Sequence, residues 1–75
     1  MDKIEFNKKF GEFLKQKRLE KKWSQTDLAS MMGNNYQNIS RIERGELTPT
    51  IYWIKKLSQV FELSISDLFN EFEKQ

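Results

Sequence analysis

Apolar side chains in this sequence recur at helical spacing, and no segment alternates apolar and polar residues with the period of two that a half-buried strand requires. Phe6, Phe10, Phe13 and Leu14 stand at i, i+4, i+7 and i+8, one stripe of a first helix ending near Lys22. Ser24 suits the N-cap of a second helix over about 25–31, with Asp27 placed to close a variant of the capping box, and Gly33 stops it. Asn35 suits the cap of a third over about 36–44, with Ile39 and Ile42 facing inward and Gly45 at its end. In "LTPT", Thr48 is the natural cap and Pro49 falls at the first helical position, where its missing N–H costs nothing. A fourth helix then turns Ile51, Ile54, Leu57, Val60 and Phe61 to one face, and Ser64, with Asp67 three residues on, opens a fifth through about Phe72. With connections this short, the expectation is an all-α fold: one domain, residues 1–75, built as a compact five-helix bundle.

At 75 residues the chain has little room for both a core and a deep substrate pocket. It has no cysteine and no histidine, which excludes disulfides and thiolate metal sites and removes the commonest residue of zinc and acid–base chemistry. No carboxylate cluster and no Gly-rich phosphate loop supplies an alternative, so an enzyme is not expected, nor a metal or cofactor. No apolar run approaches the roughly 18 residues of a membrane span, and the N-terminus has no secretory h-region, which points to the cytoplasm. Net charge is only +2, yet residues 1–22 carry eight Lys or Arg against four acids, whereas residues 61–75 carry four acids against Lys74. A basic end suits a polyanion, although two solvated surfaces that merely differ would look the same.

Residues 24–45, two short helices around Gly33, have the proportions of a helix-turn-helix, and Ala29 lies where the two would cross, small enough to let them pack closely. Here the chain resembles the phage-repressor and Cro-type helix-turn-helix family. The resemblance is carried by Leu14 and Arg18, "SQTDLA", Gly33, "ISRIERG", Pro49 and "LSISDLF", and runs from about Phe10 to Phe69. It implies a sequence-specific duplex-DNA-binding transcription regulator of bacterial or phage origin, acting as a homodimer on a palindromic operator. Small members of this kind include restriction–modification controllers, phage repressors and antitoxins. With the sequence ending just past the DNA-binding unit, no ligand-sensing domain is expected.

In a helix-turn-helix the second helix enters the major groove and its leading residues meet base edges; amides pair with adenine and Arg with guanine. Matching the family's base-reading positions, Tyr36, Gln37 and Arg41 come first, then Asn38. Asn35 is equally a helix cap and a contact, and Tyr36 is suited to a thymine methyl, a phosphate or neighbouring Gln25. The resemblance makes Gln25 a phosphate contact and a brace for the recognition helix, and makes Arg18 and Glu43 a partly buried salt bridge between the first and third helices. Arg44, Thr48, Lys22 and Thr50, near helix ends, suit further phosphate contacts, with plain surface roles equally open. Two positions depart from the family: Glu46 and Leu47 follow "ERG" where basic or amide residues are usual, and Asn34 replaces an aliphatic residue.

The other aromatic residues are core by spacing, but Phe61, Leu63, Ile65, Leu68, Phe69 and Phe72 crowd the last segment beyond what one short helix hides in so small a body. The expectation is a symmetric dimer contact in residues 61–75 through Phe61, Ile65, Phe69 and Phe72; the alternative is that Phe72 folds back over Phe6 or Phe10. The same surface would serve a protein partner, such as a toxin gripped by an antitoxin.

Overall fold

Each helix opens on a polar side chain that accepts a hydrogen bond from the backbone N–H three residues on. The computed structural model describes residues 1–75 and contains five helices and no strand: α1 (Lys3–Glu20), α2 (Gln25–Met32), α3 (Tyr36–Glu43), α4 (Ile51–Val60) and α5 (Ile65–Glu73). Asp2, Ser24, Asn35, Thr50 and Ser64 are the caps, at 2.8, 2.9, 3.0, 3.1 and 3.0 Å from their donors. At Ser24 the capping box is complete, because the Ser24 N–H also donates to Asp27 Oδ2 at 2.8 Å. These local bonds satisfy backbone groups that would otherwise be orphaned at each helix start.

The fourth helix departs from the sequence expectation. Thr50 caps it, not Thr48, so Pro49 lies outside the helix and Ile51 is its first residue. Thr48 is drawn elsewhere: its hydroxyl donates to Oδ1 of buried Asn7 at 2.9 Å, tying the loop to α1. Helical side chains lean toward the N-terminus, so a first residue has no turn beneath it to pack on. Ile51 is accordingly 69% exposed instead of sharing the buried face of Trp53, Ile54 and Leu57.

A cluster of aromatic rings joins the two ends of the chain. Phe72 sits against Phe6, Phe10 and Phe13 of α1 with centroids 5.6, 5.5 and 5.4 Å away, and Phe61 packs at a tilt against Trp23 at 5.3 Å. Phe72 and Phe61 are each only 7% exposed. This corrects the expectation that both would face a dimer partner. α1, at 18 residues, is long enough to offer three phenylalanines to the underside of α5, so the chain hides these rings itself. Of the four residues expected in a dimer contact, Ile65 and Phe69 alone remain at the rim, half-buried.

Two glycines set how α3 is held. Gly33 ends α2 in the left-handed conformation, φ 64°, a geometry that a side chain disfavours and that turns the chain sharply into α3. Gly11, in the middle of α1, lies directly under the end of α3. A Cβ there would stand 2.4 Å from the Ile42 carbonyl oxygen and 2.5 Å from that of Glu43, both backbone atoms unable to swing aside. Gly11→Ala is therefore expected to push α1 and α3 apart and to lower unfolding free energy by about 1–3 kcal/mol. Urea denaturation measures it; an unchanged midpoint would show that the two helices do not approach this closely.

Candidate nucleic-acid interface

One side of α3 is locked to the body and the other is free. Ile39 and Ile42 are buried in the core, and Glu43, at the helix end, points toward α1. There Arg18 donates from Nε to Glu43 Oε2 at 2.7 Å and from its NH2 nitrogen to Oε1 at 3.1 Å. Its NH1 nitrogen donates to the Trp23 carbonyl at 2.7 Å, so the same guanidinium also holds the loop into α2. Gln25 completes the group by donating from Nε2 to Glu43 Oε1 at 3.1 Å. The Arg18 and Glu43 side chains are 8% and 5% exposed. A fork-shaped, nearly dry pair of this kind fixes orientation as well as distance.

The opposite face carries the residues singled out for base reading. Asn35, Tyr36, Gln37, Asn38, Ser40, Arg41 and Arg44 line one open polar recess of about 450 Å³. Asn35, Tyr36, Gln37 and Arg41 are exposed, Tyr36 by 52%. Asn35 Oδ1 is engaged as the cap of α3. Asn38 is half-buried, and its Nδ2 donates to Asn34 Oδ1 at 2.7 Å; the same oxygen accepts the Asn35 N–H at 2.8 Å. Asn34 thus organises the start of α3 with polar bonds where the family usually places an aliphatic residue. The Gln37 side chain makes no hydrogen bond within the protein, and the Arg41 side chain has only a long contact, 3.8 Å, to Glu46.

The five residues expected to touch phosphate fall into two groups. Gln25, Thr48 and Arg44 already donate inside the protein, to Glu43, Asn7 and Glu46. Lys22 and Thr50 are exposed; Lys22 has φ 62° in the turn after α1, and the Thr50 hydroxyl oxygen accepts the cap bond, leaving its proton free. Thr48, Thr50 and Asn38 border one small depression beside α3, whereas Lys22 forms no bond to α3. The Arg44 guanidinium is clasped by Glu46, with Nε 2.7 Å from Oε2 and the NH2 nitrogen 3.3 Å from Oε1. That hydrogen bond, with the charge of Arg44 and more distantly Arg41, holds the Glu46 carboxyl below the usual carboxylate range and raises Arg44.

Sequence reasoning passed over Gly11, Asn7 and Ser40. Only Gly11 left a local signal, since a glycine in mid-helix weakens the helix and points to close backbone approach.

Comparison with known proteins agrees with this geometry. Residues 14–68 match the helix-turn-helix family HTH_3, and the chain belongs to this phage-repressor and Cro-type family. The chain is 36% identical over 64 residues to the HTH-type transcriptional regulator PuuR of Escherichia coli (strain K12), a match covering 85% of this chain and 35% of PuuR. It is 37% identical over 62 residues to the HTH-type transcriptional regulator SinR of Bacillus licheniformis, covering 81% of this chain and 56% of SinR. The chain therefore spans about a third of one relative and somewhat over half of the other. The family is one of DNA-binding regulators, not of enzymes.

Cutting one partner from the Arg18–Glu43 pair leaves a buried charge unpaired. Arg18→Met or Glu43→Leu alone is expected to cost about 3–5 kcal/mol of stability, and the double variant much less than the sum. Calorimetric melts of the four proteins measure this; additive losses would show that the pair acts as two separate side chains.

Proposed function

We propose that this chain is the DNA-binding part of a transcription regulator, acting in the cytoplasm as a homodimer on a palindromic duplex operator. The observation that carries the reading is the division of α3: its core side is fixed by Ile39, Ile42 and Glu43, and its free side offers Tyr36 and Gln37 at the start and Arg41 in the last turn to solvent. An α-helix fits the major groove, and side chains at its leading end are those that reach base edges. Gln37 suits an adenine and Arg41 a guanine. The backbone N–H groups of Gln25 and Thr26 at the start of α2 have no partner in the protein and suit a phosphate, with Lys22 and Thr50 as further phosphate contacts.

A single unit reads few bases. Two copies related by a twofold axis read half-sites about 34 Å apart, which is why a dimer belongs to the proposal. Ile65 and Phe69, the part of the α5 surface left at the rim, are its proposed contact. A module whose main partner is another protein has weaker support, because Phe61, Leu68 and Phe72, the apolar residues it would use, are turned inward.

Selection from a random duplex pool supplies the operator. On that sequence Gln37→Ala or Arg41→Ala is expected to lose ~1–3 kcal/mol while binding to random DNA stays nearly intact. Equal losses on both would contradict direct base reading. Ile65→Glu is expected to halve the mass seen in sedimentation, and an unchanged mass would overturn the α5 contact.

A further inference from the structure

Glu46 is the one acid placed among the basic groups of the α3 face. Its backbone N–H donates to the Arg41 carbonyl at 2.9 Å, which anchors the residue to the end of the helix just after Gly45. The side chain then folds back: Oε2 takes the Arg44 Nε, Oε1 takes the NH2 nitrogen, and Oε1 also lies 3.8 Å from Arg41 Nε. The third arm of Arg44 donates to Ser40 Oγ at 2.8 Å, so the guanidinium is held flat along α3 with its forked edge covered by carboxylate. Glu43, the neighbouring acid, is buried against Arg18 and contributes no free charge here. Carboxylate and phosphate present the same pair of acceptor oxygens to the arginine fork, so the two cannot occupy that edge together.

We propose that the Glu46 carboxylate is a built-in rival of DNA phosphate for Arg44, setting how strongly the protein holds duplex DNA irrespective of sequence. The inference rests on the duplex-binding reading above and adds a residue that limits binding. A phosphate reaching Arg44 must displace Glu46 and then lie beside it as a like charge. The penalty that acts through Arg44 falls on operator and random DNA alike, because phosphate contacts carry no base information. Gln37, by contrast, lies outside the Glu46 clasp. The effect of Glu46 is to keep the electrostatic part of binding small, leaving sequence recognition to the front of α3.

The test uses Glu46→Gln, which keeps the shape and removes the charge of a side chain about half exposed. Binding of wild type and variant to a random-sequence duplex pool is followed by fluorescence anisotropy across a salt series, with circular dichroism to check the fold. Freeing one phosphate contact steepens the plot of log affinity against log salt by about 0.9. The variant is therefore expected to bind more tightly at low salt, and its advantage over wild type to shrink about threefold between roughly 50 and 200 mM. In an Arg44→Ala background the gain is expected to disappear. An unchanged slope, weaker binding by the folded variant, or a full gain without Arg44 would each overturn the proposal while leaving duplex binding itself standing. Absence of duplex binding by wild type and variant alike at low salt would overturn the duplex reading and this inference together.

Discussion

Arg18 holds the exposed helix in position, and it does so as a charge almost cut off from water. Its three donating nitrogens reach Glu43 on α3 and the carbonyl of Trp23 ahead of α2, while Gln25 joins from the start of α2. One guanidinium thereby fixes the relation of three segments. Buried ion pairs of this sort add little net stability over apolar side chains of equal volume. What the fork adds is direction: an apolar residue would fill the space but would tolerate sliding and rotation of α3. The close pass of Gly11 under Ile42 and Glu43 works to the same end, since the backbone contact it permits leaves α3 no slack against α1.

Once α3 is fixed, its exposed side follows from the pattern of its own residues. Ile39 and Ile42 must face the core, which turns Tyr36, Gln37 and Arg41 outward. The start of the helix is stiffened by bonds among Asn34, Asn35 and Asn38, and its end by Arg44 with Ser40 and Glu46. Polar side chains thus do two different things on one surface. Some organise the backbone that presents the face, and others, Gln37 above all, are left without internal partners. That contrast between committed and uncommitted donors is what the proposed recognition surface rests on.

Much of this was legible in the sequence because it depends on neighbours along the chain. The caps at Ser24, Asn35 and Ser64, the stop at Gly33 and the helical stripes are local, and they place five helices close to where they occur. The cap of α4 was misplaced because the choice between Thr48 and Thr50 is made by Asn7, 41 residues away. Burial of Phe72 likewise depends on α5 folding over α1, and that of Phe61 involves Trp23 ahead of α2, neither of which any spacing within 61–75 reveals. Arg18 and Glu43 were paired through resemblance to a family; their separation of 25 residues carries no local signal. Gly11 was visible in principle, as a helix-weakening residue with no turn to explain it. The grip of Glu46 on Arg44 joins residues two apart, yet only the direction of the chain after Gly45 shows that the side chain folds back along α3.

On the proposed reading the duplex lies against the free side of α3 and the start of α2, away from the α1–α5 side. Titrating isotope-labelled protein with duplex DNA at low salt and following backbone amide signals by NMR tests it most directly. The largest shifts are expected at Gln25, Thr26 and Tyr36 to Arg44, with the amides of Phe69 and Phe72 changing little. Shifts concentrated instead on the α1–α5 side, with Tyr36, Gln37 and Arg41 unmoved, would contradict it.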